Sequence, residues 1–272
     1  MAAFTKNKAS NPVFKRMYKY ADVTLDEEKA SYQGIAMKTG YFLALVVLGM
    51  IAFFVMHNSF ANSGMEGQKL NYSAMIYTNE MAIFAGATII TLIAGVIAGF
   101  VPSTVPVAGS VYCAGMGYAV TFISFTYAAK YKGIVMEALL LTVLLIGVML
   151  FLYRRGIVKV GSKFRTVLYS ALGVSVLGSV IYFIIYLIAP NSSLVRALTA
   201  IQYGPLGIVF AFLGVALGAL LIVDDFENIN QTVSYGLSKK YEWTASYGLV
   251  ISMIYLYMRI LELLFRIYGR KD

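Results

Sequence analysis

Apolar residues run together along this chain in stretches longer than the core of a soluble domain requires. Windows at residues 39–57, 81–101, 107–129, 133–153, 166–189, 204–223 and 245–266 each come close to the roughly 20 apolar residues that a helix needs to cross a bilayer. Lipid offers backbone groups no water to bond, so stretches of this kind are read as helices that satisfy their own hydrogen bonds. The pattern predicts an all-α integral membrane protein, a seven-transmembrane-helix bundle over residues 38–272, preceded by a polar tail of residues 1–37. The tail mixes Lys6, Lys8, Lys15, Arg16, Lys19 and Lys29 with Asp22, Asp26, Glu27 and Glu28. It shows little apolar periodicity, with a short interfacial helix expected around residues 11–20.

The connections differ in kind. Residues 58–80 read as a polar loop of Asn, Ser and Gly, long enough for a short helix. Pro102 and Pro106 mark a tight break between two helices that would otherwise merge, because proline lacks a backbone donor and clashes with the preceding turn. Residues 154–165 are short and basic, residues 190–203 polar, and residues 224–242 amphipathic enough to extend the sixth helix. Glycines spaced four apart, Gly95/Gly99 and Gly214/Gly218, are expected to serve close packing within the bundle rather than a dimer seam.

Composition agrees. The chain is 60% hydrophobic and 13% charged, and its mean hydropathy is +0.75. The net charge of +9 sits in the tail and loops beside the apolar runs, which argues for attraction to an anionic leaflet and against nucleic acid. Lys and Arg beside the predicted spans number 14 on the side of the N-terminus and 7 on the other, so the N-terminus is expected in the cytoplasm and the C-terminus outside. The expected location is the cell (cytoplasmic) membrane. The polar start argues against a cleavable signal peptide. The 21 tyrosines suit the two interfacial belts. The single cysteine, Cys113, reads as a packing residue, and the single histidine, His57, as an interfacial one.

The usual hydrolase, zinc-protease, phosphate-loop and dinucleotide motifs are missing from the sequence, so no enzyme, cofactor or fixed metal site is predicted. Candidate chemistry reduces to charge in or near the spans, where ionisable residues are costly and need a partner or a task. Asp224, Asp225 and Glu227 follow directly on the sixth apolar run. Asp225 and Asn228 are expected to share a face, and clustered carboxylates that repel as anions are candidates for sharing protons. Oxygen ligands of this sort suit a hard cation such as calcium, although no EF-hand spacing is present. Glu137 lies about one turn into the fourth helix, either snorkelling to the interface or facing a bundle cavity. Arg259, Glu262 and Arg266 are spaced three and four apart and suit an ion-pair ladder on the last helix, or a reach from Arg259 across the bundle to Glu137 or Asp225.

The runs YKGIVMEALLLT (131–142) and YRRGIVKVGSKFR (153–165), with DFE at 225–227, YEW at 241–243 and LY at 256–257, resemble the Bax inhibitor-1/YccA family of transmembrane Bax inhibitor motif proteins. NPVF at 11–14 and Lys38-Thr39 fit its bacterial branch. The resemblance covers nearly the whole chain. It implies a seven-helix bundle with helix seven central, and a function like that of the pH-sensitive calcium leak channels proposed for better-studied members. There an acid pair on helices six and seven acts as a protonation latch near an arginine of helix two. Asp225 matches the helix-six aspartate and Glu137 a helix-four glutamate of some members. The second predicted helix has no arginine, and Arg259 stands near the position of the helix-seven acid, with Glu262 one turn later. A latch here would therefore pair Asp225 with Arg259. The alternative function is a regulatory membrane protein that binds another membrane protein, such as a membrane protease or a stress-response factor.

Overall fold

In a computed structural model the described residues are 28–62, 72–189 and 192–270. Eight helices are described: α1 Tyr32–Asn62, α2 Tyr72–Phe100, α3 Ser110–Lys130, α4 Ile134–Arg154, α5 Ser162–Ile188, α6 Ser193–Tyr203, α7 Pro205–Ser234 and α8 Tyr241–Tyr268. Seven of these helical stretches are long and apolar enough to cross a membrane, and they coincide with the seven windows read from the sequence. The chain is an all-α multi-pass membrane protein. Its spans expose large apolar side chains, such as Ile89, Ile90 and Ile93 on α2, Leu140, Val143 and Leu144 on α4, and Val174 and Leu177 on α5. Surfaces of that size and polarity belong against lipid tails.

Several connections differ from the sequence reading. Residues 190–203, expected to be a polar loop, hold the 11-residue helix α6. It is too short for a spanning window to detect, but Ser192 caps it by accepting a hydrogen bond from the Val195 amide at 3.2 Å. The helices α1 and α2 also run into the predicted 58–80 loop. At Pro102 the chain tightens into a 3-10 turn, Pro102–Thr104, and then a π turn, Val105–Gly109, that feeds straight into α3. Neither proline can donate, and the Thr104 hydroxyl donates to the Val101 carbonyl at 2.7 Å. The short interfacial helix expected at 11–20 lies outside the described residues.

The described chain divides into two compact units. The first takes residues 28–29, 136–189, 192–239 and 252–270, and the second 30–62, 72–135 and 240–251. In the second unit, α1 and α3 approach backbone to backbone. A Cβ on Gly49 would strike the Ala114 carbonyl and one on Gly117 the Val46 carbonyl, while Gly115 lies against Thr91 of α2. Small residues at such crossings let dispersion contacts replace a hydrophobic drive that lipid does not provide. Of the glycines singled out from sequence, Gly95 receives the Tyr112 ring and Gly99 meets nothing. Phe53 anchors an aromatic group with Tyr118, Phe122, Phe125 and His57, and Cys113 is buried in α3.

The start of α8 closes the second unit on α1. The Glu242 carboxylate, fully buried, accepts hydrogen bonds from the Ser31 amide at 2.8 Å and hydroxyl at 3.2 Å, and pairs with Lys38. Gly34 gives this carboxylate its space, since a Cβ there would overlap it. Lys38 also covers the Trp243 ring, and Ser246 donates to the Ile35 carbonyl at 2.8 Å. In the first unit, α7 and α8 run antiparallel, with Gly214 against Arg259 and Gly218 against Tyr255 and Leu256. Both glycines therefore pack within the chain, as their spacing suggested. Along α8 no residue from Tyr241 to Arg266 is exposed.

Gly117→Val should force α1 and α3 apart and cost about 2 kcal/mol, the usual scale for overpacking a tight contact. Gly99→Ala, in open space, should stay within about 1 kcal/mol of the parent or gain stability from helix propensity. Thermal unfolding of the two variants in detergent checks the contrast.

Candidate functional site

The acidic stretch sits on the last turns of α7, and successive residues on a helix face directions about 100° apart. Asp224, Asp225 and Glu227 accordingly meet different neighbours. Asp224 faces α5. Its Oδ1 accepts from Arg165 Nε at 2.6 Å, and its Oδ2 accepts from the Tyr169 hydroxyl at 2.6 Å and from Asn228 Nδ2 at 3.2 Å. A second donor of Arg165, Nη2, reaches Asn228 Oδ1 at 2.8 Å. Glu227 faces α4, where Tyr153 donates to Oε2 at 2.8 Å, and Gln231 one turn on donates to Oε1 at 2.6 Å. Both oxygens of both carboxylates are thus occupied.

Asp225 is different. Its Oδ2 is buried and has no hydrogen-bond partner, while the Ser252 hydroxyl of α8 is set against the same carboxylate. The first unit therefore holds, side by side, an aspartate locked in an ion pair and an aspartate with a vacant oxygen.

Asn228, which shares a helix face with Asp225 at a spacing of three, donates its hydrogen bond to Asp224 at a spacing of four. Arg165, counted from sequence as a loop charge that sets topology, is buried in the first turn of α5 and neutralises Asp224.

The expected Asp225–Arg259 contact is not formed. Arg259 packs against Gly214, about 16 Å of helix from Asp225 at 1.5 Å per residue. Its Nη1 donates instead to Glu262 Oε2 at 3.0 Å, and its guanidinium covers the Tyr255 ring with the centroid 5.0 Å away. Glu262 also takes Arg266 Nη2 at 2.5 Å, completing the ladder that the spacing of three and four allowed. Glu137 is exposed at the start of α4, and its Oε2 accepts from the Tyr268 hydroxyl at 2.6 Å. Tyr268 lies about 24 Å along α8 from Ser252. Glu137 therefore lies at the opposite end of the first unit from Asp225.

The candidate acids lie in the three places read from the sequence, the α7 cluster, the Glu262 ladder and the Glu137 end, and the structure does not bring these together. Arg165, Tyr169 and Tyr153 complete the first, and none of the three stood among the candidate residues read from the sequence.

A multi-pass helical bundle with a buried, hydrogen-bonded acid cluster at one end of a unit defines the class: a polytopic membrane protein with ionisable groups inside its spans. Matching the chain with a family model described as Bax inhibitor 1 like covers residues 11–269, and the chain belongs to that family. The comparisons with curated proteins and with solved structures return no match.

Arg165→Met should strand the Asp224 charge and cost about 3–5 kcal/mol, the scale for breaking a buried pair from one side. Removing both charges in Arg165→Met/Asp224→Asn should restore part of that loss. By contrast, Asp225→Asn should change stability by no more than about 1 kcal/mol, since it surrenders at most one hydrogen bond. A double-mutant cycle completed by Asp224→Asn, with Asp225→Asn measured alongside, checks these values by thermal unfolding in detergent.

Proposed function

We propose that this protein is a pH-sensitive cation leak, with calcium the permeant its family resemblance implies, gated by a proton at Asp225. The reading rests on one observation above all: Asp225 has a buried oxygen with no partner, next to an acid whose oxygens are fully engaged. An aspartate in that state is the group whose charge can change without breaking an existing contact. The Arg165–Asp224–Tyr169 contact joins α5 to α7 and is the closed connection in this scheme. Protonation of Asp225 alters the field beside that connection, and the path opens. Arg259 and Glu262 form a self-neutralised pair that makes α8 tolerable in lipid, and Glu137 stands apart from the gate.

The protein acts here as a conduit rather than a catalyst, in the cell membrane with the N-terminus in the cytoplasm. That orientation puts the α7 cluster at the cytoplasmic end of its helix, with the basic 154–165 connection on the same side.

Calcium entry into proteoliposomes, followed with an internal dye between about pH 5 and 8, tests the proposal. Flux should rise on acidification. Asp225→Asn, which mimics the protonated acid, should carry the acid-level flux at every pH, whereas Glu137→Gln should keep the parent profile. No flux at any pH from correctly folded protein would sink the channel reading, and an unchanged pH profile in Asp225→Asn would sink the assignment of the gate.

A further inference from the structure

The helix α6 is out of place by every criterion used for the spans. It is 11 residues long, it connects α5 to α7, and an isolated helix of that length is marginal in water. Something must bury one of its faces. Part of the answer lies within the first unit: Val195 is buried and the Thr199 hydroxyl is 3.3 Å from the Tyr182 hydroxyl of α5. The last carbonyls of a helix lack intrahelical partners and carry partial negative charge. Here Arg266 of α8 donates from Nη1 to the Gln202 carbonyl, tying down that end of α6. Gly207, one turn into α7, leaves room for this contact.

These contacts use one side of α6 only. Leu194, Leu198 and Ile201 follow at intervals of four and three, so they line one face, and they are 50%, 39% and 44% exposed. Arg196 is also exposed and, at 100° per residue, projects from the opposite side of the helix. The apolar stripe continues into surface already assigned to lipid. The end of α5 exposes Ile181, Ile184 and Ile188, and the start of α7 exposes Leu206, Val209 and Phe210. A short helix with an apolar stripe, a cationic opposite face and lipid-facing helices at both ends matches an interfacial helix lying in the plane of a membrane surface.

We infer that α6 is a membrane-surface helix whose Leu194, Leu198 and Ile201 face rests in the boundary between lipid headgroups and acyl chains, with Arg196 on the water side. The occupant of this face is the bilayer. Through Arg266, whose other amino group bonds Glu262, the seated helix is joined to α8 by side-chain contacts. The inference stands whether or not the protein conducts ions, because it uses no group of the proposed gate.

Cysteines introduced singly as Leu198→Cys and Arg196→Cys, both at exposed positions, carry an environment-sensitive fluorophore in lipid nanodiscs, where both faces are open to solution. Cys113 is fully buried, so labelling of the parent protein provides the blank. The label at 198 should emit to the blue of the label at 196, and aqueous iodide should quench it about fivefold less. A nitroxide near the top of the acyl chain should quench it more than one near the chain end. Equal iodide quenching at the two sites would overturn the proposal and leave α6 in water. Shielding of 198 from both iodide and lipid nitroxides, or disulfide crosslinking between copies at 198, would overturn it in favour of a protein-covered face. Repeating the measurement at Leu194→Cys guards against a local effect of the label, and a water-accessible reading there would also overturn the assignment.

Discussion

The organising constraint in this protein is the cost of leaving charge unpaired where water is scarce. In the second unit Glu242 is fully buried and meets Lys38, the Ser31 amide and the Ser31 hydroxyl together. In the first unit Asp224 has Arg165, Tyr169 and Asn228, while Glu262 lies between Arg259 and Arg266. Charge-assisted hydrogen bonds of this kind are the strong ones, and in a low-dielectric setting they fix the side chains that make them. Each also fixes helices: Glu242 ties α8 to α1, and Asp224 ties α7 to α5.

A second constraint acts on the backbone. Burying apolar side chains against one another gains little when the alternative is lipid, so packing depends on how closely helices can approach. The α1–α3 crossing uses Gly49 and Gly117 for this, and the α7–α8 crossing uses Gly214 and Gly218. At the α7–α8 crossing the close approach lets a side chain as short as Ser252 reach Asp225, and the ion pairs act at other contacts, joining α1 to α8 and α5 to α7.

The seven spans were legible because apolar length is a property of a single segment, and the bilayer reads it one segment at a time. The same holds for the Arg259–Glu262–Arg266 ladder, whose members are neighbours on one helix. What the sequence hid was contact between helices. Arg165 lies 59 residues before Asp224 in the chain, and nothing in its local pattern distinguishes a cation that caps a loop from one that turns inward. The α6 helix was missed for a different reason, since its apolar residues are too few to register as a span and too widely spaced to read as a run. The glycines that matter most, Gly49 and Gly117, lie on different helices and make no motif with each other.

The neighbouring aspartates show what pairing does to chemistry. Asp224 and Asp225 differ by one step along α7, yet that step turns one toward the guanidinium of α5 and the other toward the Ser252 hydroxyl of α8. Asp224, held by a guanidinium, a phenol and an amide, belongs to the contact that joins α7 to α5. An aspartate with a vacant oxygen has no such commitment. In the proposed gate, a change at Asp225 would reach the neighbouring Arg165–Asp224 tie without Asp225 having to take part in it. A single pair of carboxylates sharing a proton would require the latch and the sensor to be the same groups. On the proposed reading α7 would divide the two tasks between consecutive residues, and the helical turn of about 100° between them would keep the tasks apart.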